Sequence, residues 1–100
     1  MPTFVMVYGR KIPIRYINKD QLNEYINGAE GLWDTYTRQI YINKEAPKCV
    51  QYYYIYHEMG HAVMTYTGLD QILSAELQEV IVQSFATMFE DVVKQKTKFK

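Results

Sequence analysis

Hydrophobic positions change their period twice along this chain. Thr3 to Tyr8 carries an apolar run, Phe4, Val5, Met6 and Val7, rich in strand formers. Lys11 to Asn18 then alternates, with Ile12, Ile14 and Tyr16 set against Lys11, Pro13 and Arg15. Alternation marks a half-buried strand and Gly9-Arg10 marks a turn, so residues 3–18 predict a β-hairpin. Pro13 has no N–H to give a neighbouring strand, which places that stretch at an edge or a bulge. Lys19 to Asn27 moves to helical spacing through Leu22, Tyr25 and Ile26, with Asn18 as N-cap and Asn27-Gly28 as stop. Gly28 to Gly31 is loop. Leu32-Trp33-Asp34, a turn over Thr35 to Thr37, and a return along Arg38 to Asn43 predict a second hairpin. Its last strand alternates Ile40 and Ile42 against Gln39 and Tyr41.

The second change of period brings two long helices. Lys44 to Lys48 connects to the first, which runs roughly from Pro47 to Thr67, with Pro47 suited to the first turn. Most of Tyr52, Tyr53, Tyr54 and Tyr56 read as core or half-buried packing. Gly60 costs about 1 kcal/mol inside a helix, which predicts a close neighbour there. Gly68 is the stop. Leu69 to Leu73 connects, and Ser74 caps a last helix over Ala75 to Lys96. Val80, Ile81, Ser84, Phe85, Met88 and Val92 give it an apolar stripe, the pattern of a core-facing helix. Strands first and helices last predict an α+β fold in one domain. A small twisted sheet of three or four strands, with a short helix, should pack on helix 47–67, with the last helix behind.

Composition narrows the class. Apolar residues make up 48% and charged residues 22% of the 100 residues, a globular balance. Zero formal net charge gives no basic face for nucleic acid or an anionic membrane. The basic stretch Lys94 to Lys100 suits a helix C-terminus. Arg10 and Lys11 come too early for the apolar core of a leader peptide, and no apolar run approaches the ~18 residues of a membrane span. Cys49 is the single cysteine, so no internal disulfide forms, which fits a reducing compartment and an expected cytoplasmic location. It is expected as a small buried residue at the helix start; a third metal ligand or a redox switch are its other readings.

The chemistry concentrates in His57-Glu58-Met59-Gly60-His61, which holds both histidines of the chain. Residues four apart share a helix face, so both imidazoles can reach one metal ion. Glu58 can then lean over a water on that metal as general base, the arrangement of zinc proteases. A catalytic zinc takes three protein ligands. Metzincin-type sites would need glycine and histidine where Met64 and Thr67 stand. The third ligand should therefore be a glutamate of the following helix. Glu79, 18 residues after His61, is the choice, because Gln83 and Ala86 keep its face small or polar. Glu76, one turn earlier, is the runner-up, and a solvated glutamate pair is the plain alternative.

The segment from His57 to His61, then Gly68, then Glu79 to Ala86, resembles the gluzincin clan of metallopeptidases. The whole layout is similar to the minimal single-domain gluzincins, or minigluzincins, and to small phage-type proteins with the same motif. The resemblance covers essentially the full chain. It implies zinc ligands His57, His61 and Glu79, Glu58 as general base, and hydrolysis of peptide bonds. Larger gluzincins add a C-terminal subdomain with a transition-state histidine or tyrosine, for which 100 residues leave no room. Tyr54 and Tyr66 are candidates for steadying an oxyanion. The peptide substrate is expected to lie along an edge strand at Arg38 to Asn43. The resemblance also implies latency, with Lys94 to Lys100 of one subunit blocking a neighbour's cleft in a homo-dimer or homo-tetramer. The competing expectation is a non-enzyme, a metal-stabilised interaction module with a closed site.

Overall fold

The structure, a computed structural model, describes residues 1–98, with side chains up to Val92. Its elements are β1 (Phe4–Val7), β2 (Arg10–Ile17), α1 (Lys19–Tyr25), β3 (Gly31–Asp34), β4 (Gln39–Asn43), α2 (Lys48–Thr67), a 3-10 turn (Leu69–Gln71) and α3 (Ala75–Lys98). The fold is α+β. The expected tail role of Lys94 to Lys100 rests on side chains that lie outside the described residues. Among the described residues, no helix is long and apolar enough to cross a membrane.

Both hairpins form. Tyr8 and Gly9 turn the first with φ of 51° and 73°, and β1 and β2 pair antiparallel, Val7 opposite Arg10. Asn18 and Gln21 make a reciprocal capping box on α1, each side chain bonding the other residue's backbone N–H. The second hairpin pairs Gly31 with Ile42 and Asp34 with Gln39. The hairpins join through a parallel pairing of β2 with β4, Ile14 opposite Ile40, giving the order β1-β2-β4-β3. Pro13 lies one residue before that pairing starts, so its missing N–H leaves no ladder bond unmade.

This order corrects one expectation. β4 is paired on both sides and offers no free edge; the exposed edges belong to β1 and β3. The cause is the β2–β4 pairing, which inserts the second hairpin by its return strand.

One sheet face carries Ile12, Ile14, Trp33, Ile40 and Ile42, all buried against Ile55 and Ala62 of α2. Helix α3 lies on α2 through Val82 and Ala86, both fully buried. An added Cβ at Gly60 would stand 3.0 Å from a Val82 methyl, so the glycine marks where the two helices meet. Gly68 ends α2 in the left-handed conformation at φ 77°, and the Ser74 hydroxyl caps α3 by accepting from Leu77 N–H at 3.1 Å. Two packing expectations fail. Cys49 is exposed with its neighbours Pro47 and Lys48, because the buried face of α2 begins only at Gln51. Most of the α3 stripe is also exposed, with Val80 at 60% and Met88 at 49% while Ile81 is half-buried, because the smaller Val82 and Ala86 face lets α3 approach α2 closely.

Candidate metal centre

His57 and His61 stand one turn apart on α2, and Glu79 stands in the second turn of α3 opposite them. The glycine at 60 and the turn at Gly68 allow α3 to return close enough for contact. His61 Nε2 is 2.9 Å from Glu79 Oε1, and His57 Nε2 is 3.4 Å from Glu79 Oε2. One ligand atom from each residue falls within 4.8 Å of the others. Four donors at zinc bond lengths of about 2.0–2.1 Å stand about 3.3 Å apart in a tetrahedron, so the spacing suits one ion. Glu76 and Cys49 are not part of this group, and no fourth His, Cys, Asp or Glu joins it among the described residues.

His57 is in the state a metal accepts. Burial, and next the neighbouring His61, hold the His57 pKa below the usual histidine value, while the Glu79 charge opposes them. Neutral imidazole is the ligating form. One feature departs from an ordinary site. A metal-bound histidine usually hands its second N–H to an acceptor. His57 Nδ1 is buried without a hydrogen-bond partner among the described residues.

Glu58 lies against β3 rather than in the group of donors. It is 5% exposed, and Gly31 gives it room: a Cβ there would stand 3.2 Å from Glu58 Oε2. The Trp33 backbone N–H donates to its carboxylate. Asn43 N–H bonds the Glu30 carbonyl at 3.0 Å, so β3 turns the N–H groups of Gly31 and Trp33 away from β4, toward α2. Burial pushes the Glu58 pKa up to about 8, Glu79 adds to the rise, and the Trp33 N–H opposes it.

Two ties hold β3 there. Trp33 Nε1–H donates to Thr65 Oγ1 at 2.9 Å, one turn beyond His61. Glu30 accepts from Lys19 Nζ at 2.9 Å and from Asn43 Nδ2 at 2.8 Å, which lowers its pKa, Lys19 being the larger cause.

A cleft of about 540 Å³ joins His57, Glu58, His61 and Glu79 to Gly31, Trp33, Tyr54 and Gln83. Tyr54 therefore reaches the site. Tyr66 does not line it; that ring packs on Trp33 and under Arg10 and Arg38. Sequence reasoning missed Gly31 and Trp33, whose part depends on strand order. The arrangement offers three donors for a divalent ion and a shielded carboxyl beside them. No family model, no curated protein and no solved structure matches the chain.

Proposed function

We propose that this chain is a zinc-dependent peptidase of gluzincin type. The observation that carries the reading is the meeting of His57 Nε2, His61 Nε2 and the Glu79 carboxylate beside the buried Glu58 in one open cleft. Three protein donors without a fourth among the described residues leave a position for water or substrate, which favours a catalytic site over a closed structural one. Zinc held by His57, His61 and Glu79 would polarise a peptide carbonyl and acidify a water. Glu58 takes the proton of the attacking water and passes it to the leaving amine. Burial is the larger cause of its raised pKa in the metal-free state; the smaller contribution of the Glu79 charge would be reversed by a dication on Glu79. The Tyr54 phenol lines the same cleft and can donate toward a developing oxyanion. An extended peptide would pair with the outer edge of β3 next to the cleft, at the backbone groups other than the Trp33 N–H that Glu58 takes.

The test is metal analysis of the purified chain with cleavage of a general peptide library. Zinc near one equivalent and cleavage lost in Glu58→Gln, with metal retained, is the expected result. A Glu58→Gln protein that loses zinc as readily as His57→Ala refutes the assignment of Glu58, and a zinc-loaded wild type that cleaves nothing refutes the peptidase reading.

A further inference from the structure

The outer face of α3 carries Leu77, Val80, Phe85, Met88, Phe89 and Val92, each 42–60% exposed. Beside it, Met6 and Tyr8 of the first hairpin, 53% and 68% exposed, share with Phe85 and Phe89 the rim of an apolar cavity of about 400 Å³. We propose that this face is a homodimer interface and that its occupant is a second copy of this chain, joined about a two-fold axis between Ser84 and Phe85. The inference is independent of the metal reading.

Area comes first. With a residue surface of about 200 Å² each, these eight side chains expose on the order of 800 Å² of contiguous surface. A monomer's largest apolar patch is about 300–600 Å², whereas a stable interface takes about 800 Å² from each partner. The stripe is also self-complementary. Ser84 and Phe85 stand at the middle of its length, and an antiparallel α3 pair about the point between them sets Leu77 against the partner's Val92 and Ile81 against the partner's Met88. The small Ser84 side chain lets the helices approach, and its hydroxyl already donates to the Val80 carbonyl at 2.7 Å, so burial strands no polar group. At 100° per residue, Glu76, Glu79 and Glu90 fall off the stripe; Asp91 falls between Val80 and Ser84 but about 10 Å along the helix from the axis, so no like charges meet there. The same rotation places Glu79 on the opposite side of α3, and the dimer leaves the metal cleft open. An anionic membrane would need basic residues along the stripe; residues 75–92 contain none, and the basic run Lys94 to Lys100 follows its end in the sequence.

Sedimentation equilibrium of the full chain should give a dimer of the 11.9 kDa protein. Val80→Glu and Met88→Glu, both at exposed positions, should give monomers with unchanged circular dichroism. Tyr36→Glu, on the far β3–β4 turn where the ring is 96% exposed, should stay dimeric. In a Cys49→Ala background, Ser84→Cys should form a covalent dimer on oxidation. A wild type that is monomeric at all concentrations, or a dimer untouched by both glutamates, overturns the proposal. Membrane-vesicle binding by a monomeric wild type, abolished by Val80→Glu, overturns it too and gives the face to a lipid surface.

Discussion

Gly60→Ala tests whether the helix contact sets the metal site. The new Cβ would stand 3.0 and 3.1 Å from the Val82 methyls and 3.4 Å from the Val82 Cβ. Non-bonded carbons rest at about 3.5–4.0 Å. Val82 is fully buried and β-branched, so rotating its side chain brings one methyl toward the place the other leaves. Relief must come from α3 moving back by about 0.5 Å. Replacing a helical glycine returns about 1 kcal/mol, and overpacking costs about 1–3 kcal/mol. The balance is a loss of about 1 kcal/mol, a fall in Tm of about 4–8 °C for a domain of this size. Glu79 sits one turn before Val82 and moves with it, while metal donors tolerate about 0.2 Å. Zinc affinity should therefore fall about tenfold, or about 1.4 kcal/mol. Thermal melts with and without zinc, and a chelator competition, read both quantities. Val82→Ala alone should cost about 2 kcal/mol through its cavity, yet should recover most of the zinc affinity when combined with Gly60→Ala. A Gly60→Ala protein with a higher Tm and unchanged zinc affinity refutes the reasoning.

The pH dependence of the metal-free protein should follow Glu58. Its folded pKa of about 8 exceeds the ordinary 4.5, so the folded state keeps a proton the unfolded chain has lost. Stability is then full below pH 4.5 and falls as pH rises toward 8, by up to about 1.4 kcal/mol per unit. Glu58→Gln should flatten that slope, and a wild-type Tm level across the window contradicts it. Glu79→Ala should lower zinc affinity by orders of magnitude in a competition titration, while Glu76→Ala should leave it unchanged; the reverse moves the ligand to Glu76. Thr65→Val removes the acceptor of the buried Trp33 N–H and should cost about 1–3 kcal/mol in urea unfolding; a change within error would show that this bond does not hold β3.

Local chemistry made most elements readable in the sequence. Asn18, Ser74 and Gly68 fix helix ends through their own hydrogen bonds or backbone freedom, and alternation fixed Ile40 and Ile42 inward. The grouping of His57 with His61 followed from helical spacing alone. Strand order was not readable, because β2 pairs with β4 through contacts far apart in the chain, and either hairpin could have presented its other strand. The edge was consequently assigned to the wrong strand, and the Trp33 N–H beside Glu58 went unseen. The α3 stripe misled for another reason: apolar periodicity says that a face avoids water, but not which surface covers it. Val82 and Ala86 face α2 because Gly60 favours a close approach over a large contact.

The seven-residue link between α2 and α3 gives the donor group a local character. His57, His61 and Glu79 all belong to this helical hairpin, and none comes from the sheet. An ion binding there closes a short chain loop and need not await the β2–β4 pairing, which joins distant segments. Helix α3 thus becomes a unit of local opening whose stability the ion sets, while α2, whose Ile55 and Ala62 lie in the core, opens with the sheet and the whole chain. Amide hydrogen exchange in α3 would slow with zinc concentration, and exchange in β1 would not. The chain would then lose its site before it loses its fold.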